Sequence, residues 1–435
     1  MKRLIDGLIL VLIAYVGLHL PRSFMLLYGF AGLVLLRSSP SCPDLRSLRQ
    51  RLTWRHVWQL AMLLLFSLSY CIGMLHWRFW SWPADALDLL NALILPALLM
   101  LAGLRAGFMP NRWSDRLFLV YAIGGLAYLL IALILAREPW WNWSQIFPAS
   151  IPIPWGSHAQ INVRSLEQNG YPALLLLVPG LQLLFGSTVV SGRLLAMVFL
   201  FLSACGAHVV GALNGRLGWL ALVLAGAPVL GLSIGRCVGV LSQLFRVSRR
   251  VFVIGASSCV VALALGFHLY FSSHGQGTGI WAQGLCDERI DLFGSILTHM
   301  HQAPWGGRLL QVPFRSCGAQ TPMLFSANGG ALDMAHNVFL DIYFNVGLVP
   351  ALLLLGVVVP SVVVVARGFL LAWPRWDWRI SLRWGWACLL LCQWLFQPLL
   401  YSDGLLYYIS FFILGLFVVQ GLRAFAEGGY RSQGS

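Results

Sequence analysis

Three residues in this chain have side chains suited to chemistry and positions that call for a reason. His336 stands in "ALDMAHNVFLDIYFNVGLVP" (331–350), at the seam between a polar segment and an apolar one. Arg164 closes "SHAQINVR", and Arg289 lies in "CDERIDLF". A neutral imidazole can take a proton, as a general base must. A guanidinium fork binds phosphate through two parallel charge-assisted hydrogen bonds and stays charged at any relevant pH. Each residue also has a plain structural reading. Membrane headgroups can satisfy His336, Asp287, Glu288 or Asp291 can pair with Arg289, and Glu167 can pair with Arg164. Arg216, Arg308 and Arg315 are weaker phosphate candidates because nothing in their spacing singles them out. His158, His299 and His301 read as exposed structural residues.

As a helical residue, His336 has a defined electrostatic setting. Asp333 is a good N-cap, which makes Met334, Ala335 and His336 the first turn of the helix that follows. The partial positive charge at a helix start disfavours imidazolium, so His336 is expected to be neutral near pH 7. At 100° per residue, Tyr343, Gly347 and Pro350 fall on nearly the same face as His336. Asn337, Asp341 and Asn345 form a polar stripe beside it. Polar side chains within an apolar span are costly unless they face a bundle interior or a wet cavity.

The elements that must position these residues are membrane helices. Of 435 residues, 59% are hydrophobic and 10% charged, and many apolar runs approach the roughly 20 residues needed to cross a bilayer. The expected fold is an all-α, polytopic integral membrane protein forming a single membrane domain over 1–435. About twelve spans are expected, near 4–20, 23–36, 56–74, 87–104, 117–136, 172–187, 194–213, 218–235, 251–271, 336–366, 384–401 and 405–422. The net charge of +14 is almost wholly arginine, since Lys2 is the only lysine. Most arginines fall in short loops between apolar runs, a pattern set by membrane orientation and anionic lipid headgroups rather than nucleic acid. Assigning those loops to the inside makes both termini cytoplasmic and leaves Arg164, Arg216, Arg289, Arg308 and Arg315 outside. Two outer loops, 137–172 and 272–335, exceed what connection requires. Their aromatic, proline and glycine content points to ordered segments lying along the membrane surface, Arg289 on a surface helix among them.

Several chemistries are excluded by absence from the sequence. There is no phosphate-loop motif for ATP-driven work, no H-E-x-x-H and no paired C-x-x-C for zinc. No metal and no cofactor is expected. Cys286 and Cys317 share the large outer loop, where they are either a disulfide or two unpaired buried thiols. A lipid-linked oligosaccharide transporter is a rival reading, but it wants ionisable groups deep in several spans. Asp6 and His208 are the main mid-span cases here. Nothing in the sequence fixes an oligomeric state.

"HNVFLDIYFNVGLVP" resembles the motif of the O-antigen ligase and O-antigen polymerase superfamily: histidine, then Asn, Ser or Gln, nine residues, then Gly-x-x-(Gly, Thr or Tyr). His336, Asn337 and Gly347 match, while Pro350 departs at the last position. "INVRSLEQNGYPALLLLVPG" (161–180) is similar to the arginine-bearing segment before a middle span in these proteins. "ERIDLFGSILTHMHQAPWGG" (288–307) resembles their arginine helix and the Pro-Trp-Gly-Gly-like turn after it. Many members carry Ser-Arg-Gly in the span beyond Arg164; this chain has "SACGAH" with Cys205, so an arginine role there does not transfer. The resemblance covers roughly 150–420. It implies a GT-C-like bundle in the bacterial inner membrane and a metal-independent glycosyl transfer at its periplasmic face. The implied donor is a glycan on undecaprenyl pyrophosphate, bound by Arg164 and Arg289, with Asn337, Asp333, Tyr343, Gly347, Arg216 and Arg308 as possible support. His336 would deprotonate the acceptor hydroxyl, which belongs to lipid A-core in a ligase and to a second lipid-linked unit in a polymerase. The basic balance and the ligase form of the motif favour the ligase.

Overall fold

The computed structural model describes residues 2–18, 23–37, 54–76, 86–109, 111–135, 150–152, 160–212, 217–230, 296–298, 300–302, 304–306, 313–314, 323–324, 337–372, 378–396 and 405–431. They are overwhelmingly helical. In chain order the helices are α1 (Lys2–Gly17), α2 (Ser23–Leu36), α3 (Trp54–His76), α4 (Ala86–Gly107), α5 (Asn111–Leu135), α6 (Val163–Leu174), α7 (Leu177–Gly186), α8 (Val190–Ala212), α9 (Leu217–Leu230), α10 (Val338–Asn345), α11 (Leu348–Ala372), α12 (Trp378–Phe396) and α13 (Leu405–Arg431). Five segments are long and apolar enough to cross a membrane: Leu90–Gly107, Arg112–Ile131, Asn169–Gly186, Val190–Gly211 and Leu348–Ala366. Shorter apolar helices fall on five more of the expected spans: Leu4–Gly17, Met25–Leu36, Val57–Gly73, Leu217–Leu230 and Tyr407–Gln420. The chain is a helical membrane protein. The expected span at 251–271 lies outside the described residues.

Two expected spans are not continuous helices. The run 172–187 is divided by a turn at Leu175 and Leu176, between α6 and α7. Pro179 has no N–H to offer the Leu175 carbonyl four residues back, so the helical ladder lapses there. The run 336–366 is also broken. α10 stops at Asn345, α11 starts at Leu348, and Gly347 between them has φ of 137°. That backbone conformation is open to glycine and strained for other residues. The shared face expected for His336, Tyr343, Gly347 and Pro350 therefore does not exist, because the helix ends before Gly347.

The two long loops carry short paired strands among their described residues. Ser150–Pro152 and Gln160–Asn162 (β1 and β2) pair antiparallel, with Ile151 opposite Ile161. Pro313–Phe314 and Met323–Leu324 (β3 and β4) pair likewise.

Helix packing gives the bundle two distinct ends. α4 lies against α13 through Gly103, Gly107 and Gly415, where any side chain would strike the facing backbone. Close backbone approach at small residues is how helices cohere in lipid, where apolar burial between them gains little. At one end, Asp6 of α1 pairs with Arg37 after α2, and Arg37 lies over the Trp113 ring of α5. At the same end, Arg383 of α12 makes a two-bond pair with Asp115 of α5, at 3.0 and 3.2 Å. The other end gathers the finish of α3, the start of α11, the finish of α12 and the start of α13.

Candidate functional site

Asn337 organises this second end. Its backbone is extended (φ −146°, ψ 124°), and its side-chain oxygen accepts from the N–H groups of Phe339 and Leu340 at 3.0 and 3.1 Å. These bonds satisfy two of the donors that a helix start leaves open. Asn337 is thus the N-cap of α10. The expected cap, Asp333, lies outside the described residues, and the helix that it was expected to start begins five residues after it. His336 also lies outside the described residues; the helix described after it starts at the Asn337 cap. The first turn of α10 is Val338 to Leu340 and not Met334 to His336. Asparagine suits the position better than aspartate for a physical reason. Its amide also donates, and Nδ2 gives a hydrogen bond to the Leu395 carbonyl near the end of α12, at 3.1 Å. One side chain therefore starts α10 and ties it to α12.

The far end of α10 is held by backbone. The N–H groups of Val346 and Gly347 both reach the Ile342 carbonyl, at 2.8 and 2.9 Å. The next amide, Leu348, turns away and donates to the Trp305 carbonyl at 2.9 Å. Gly306 follows Trp305 with φ of 68°, and a Cβ there would collide with the Tyr343 carbonyl oxygen. A Cβ on Gly347 would lie 3.3 Å from the Trp305 carbonyl oxygen. The Pro-Trp-Gly turn and the histidine-motif segment, about thirty residues apart in sequence, thus form one clasp. The sequence signalled both halves, but nothing in the spacing signalled their contact.

α10 is buried almost all round. Asn337 and Asp341, four residues apart, are 9% and 1% exposed, in keeping with a polar stripe directed inward. The opposite flank is no more open, however: Val338, Ile342, Tyr343 and Phe344 are also buried. A helix enclosed on every side belongs inside a bundle rather than on its surface. Beside the cap, Phe339 meets the Trp394 ring of α12 at 5.9 Å, and Trp394 meets Phe411 of α13 at 5.7 Å. Tyr407 completes that wall, 5.0 Å from Phe411.

α11 has 25 residues and is about 37 Å long, enough to cross the hydrocarbon by itself. α10 adds about 12 Å of helix before it.

Arg164 lies in the first turn of α6, directly after β2. Asn169 of α6 packs on Gly125 of α5, and Leu175 packs on Gly385 of α12. Phe118 of α5 stacks on Trp386, which sets Gly125 further from the Asp115–Arg383 pair than Gly385 is. α6 therefore runs from the Asn337 end towards the ion-pair end, and its start lies at the Asn337 end. The two sequence segments that carry Arg164 and Asn337 are brought to one end of the bundle. Arg289, Arg216, Arg308, Cys286 and Cys317 lie outside the described residues. Among the described residues, no group of three His, Cys, Asp or Glu side chains could hold a metal ion, and Cys71, Cys205, Cys388 and Cys392 are not in disulfides.

Sequence reasoning missed the residues that steady the site without doing chemistry. The Leu395 and Trp305 carbonyls act through backbone, which no side-chain pattern reveals. Trp394 and Tyr407 were absorbed into apolar spans, and aromatic density at the span ends was the available signal.

No family model matches the chain, and no curated protein is significantly similar to it.

Proposed function

We propose that this chain is a metal-independent glycosyltransferase of the O-antigen ligase type. It moves a glycan from undecaprenyl pyrophosphate to a sugar hydroxyl of lipid A-core, at the periplasmic face of a bacterial inner membrane. In this reading the fold is a GT-C-like bundle of about twelve spans with both termini cytoplasmic. His336 is the general base, and Arg164 and Arg289 bind the pyrophosphate and stabilise its growing charge. No ATP is needed, because the pyrophosphate is itself the leaving group.

The observation that carries the reading is the clasp. Asn337 and Gly347, which carry the motif together with His336, have separate and demanding jobs: one caps and ties α10, the other makes a turn open only to glycine. A motif written for a surface histidine would need neither. In this reading the neighbour of the base, Asn337, is doubly anchored, which suits the steady positioning that such catalysis requires.

The test uses purified full-length chain in detergent with undecaprenyl-pyrophosphate glycan and, in separate reactions, lipid A-core or a second lipid-linked unit. Extension of lipid A-core, abolished by His336→Ala in a folded protein, is the expected result. Extension of the lipid-linked unit instead identifies a polymerase. No product with either acceptor removes the transferase reading and favours transport, since detergent leaves no second compartment.

A further inference from the structure

We propose that the Trp305 indole is a stacking platform for a pyranose ring of a glycan substrate. The proposal rests on the glycosyl-transfer reading for the source of that glycan. Its physical basis is separate: an exposed aromatic ring mounted on an unusually fixed backbone. Trp305 is 71% exposed, although its own carbonyl is hydrogen-bonded to the first residue of α11. Its carbonyl accepts from Leu348, and the following glycine is locked against the Tyr343 carbonyl at positive φ. The indole thus projects from the hinge between α10 and α11.

Tryptophans that anchor a protein at headgroup level need depth but no fixed orientation. Trp54 fits that role: it is the first residue of α3 and is 76% exposed. Trp305 differs in standing on a turn held at two consecutive residues, its own carbonyl by the Leu348 amide and Gly306 against the Tyr343 carbonyl. A ring whose mount is already ordered loses little freedom when a ligand covers it, and few side chains offer so large a rigid face. The negative face of an aromatic ring attracts the weakly positive C–H edge of a partner, and one face of a pyranose presents such C–H groups. Placed where α11 begins, the indole can meet a sugar arriving from water while the lipid part of the substrate stays in the bilayer.

Two substrates could supply the sugar, the lipid-linked donor and the acceptor, so each is titrated separately against purified protein in detergent. Trp305→Leu keeps an apolar side chain that would still anchor in a membrane, whereas Trp305→Phe keeps a ring. The expected result is a rise of about three- to tenfold in KM for one glycan in Trp305→Leu, most of it recovered in Trp305→Phe, with kcat little changed. The titration that moves names the glycan. Wild-type KM values for both substrates in Trp305→Leu would overturn the proposal. A second measurement does not depend on turnover: hydroxyl-radical footprinting read at Trp305 by mass spectrometry, with and without a pool of delipidated bacterial core oligosaccharides. Protection of Trp305 supports the platform even if no transfer is detected, in which case only the transferase reading fails. Unchanged oxidation of Trp305 at saturating oligosaccharide, with no KM effect, sinks the platform alone.

Discussion

Replacing Asn337 by alanine removes two functions that can be measured apart. The first is the cap: two hydrogen bonds, to Phe339 and Leu340. Losing an Asn cap costs about 1 kcal/mol of helix stability. The second is the donor to Leu395, whose loss costs about another 1 kcal/mol. A combined loss of about 2 kcal/mol corresponds to about thirtyfold more frequent local opening of α10. Asn337→Ser separates the parts, because a serine oxygen still caps while the amide donor is gone. Its expected effect is about fivefold. Hydrogen exchange in detergent, read at the Phe339 and Leu340 amides, is the assay. If alanine and serine open α10 equally, the cap contributes nothing and the account of Asn337 as the organiser fails. Wild-type protection in both variants refutes it outright. Transfer activity should fall in the same order, alanine below serine, if α10 steadies the residue before the cap.

Other perturbations test the remaining parts. Gly306→Ala should detach the turn from α10, because its methyl would strike the Tyr343 carbonyl; limited proteolysis within 300–312 should become faster. Gly347→Ala brings its methyl tightly against the Trp305 carbonyl oxygen and must hold φ near 137°, so a loss of about 1–3 kcal/mol is expected, read as a lower unfolding temperature. Asp115→Ala strands a buried arginine, Arg383, and should cost about 3–5 kcal/mol, while the double change Asp115→Leu with Arg383→Leu should recover much of it. Arg289→Lys keeps the charge and loses the fork, so transfer should drop sharply if that residue binds diphosphate; near-normal transfer would make it structural.

Apolar runs made the membrane class and most span positions legible, because the cost of exposing backbone in hydrocarbon leaves few alternatives to helix. Breaks inside those runs were harder to see. Pro179 was visible, and its missing donor was a sufficient clue to the turn before α7. Gly347 was visible too, but hydropathy does not register conformation, and one glycine inside "NVGLVP" looks like any other in a span. The helix start was misread for a similar reason. Asp333 and Asn337 are both good caps four residues apart, and local propensity ranks them together. What separates them is Leu395, a carbonyl about sixty residues away that can use an amide donor and cannot use a carboxylate.

That choice of an amide bears on what the Asn337 end can host. At the opposite end, helices are joined by charge: Asp6 with Arg37, and Asp115 with Arg383. Such pairs suit a place where both partners stay matched, because removing one strands the other. Around Asn337 several of the described joints are neutral: an amide to a carbonyl, an amide proton to the Trp305 carbonyl, glycine against backbone, with the Asp341 carboxylate buried one turn on. Neutral joints keep their strength when a multiply charged group arrives and leaves, since they have no countercharge to surrender to it. A diphosphate entering a site braced by ion pairs would compete for the very cations holding the helices, loosening the frame at the moment of reaction. Salt gives a direct reading of this difference: raising ionic strength in detergent should weaken diphosphate binding while leaving exchange at the Phe339 and Leu340 amides unchanged.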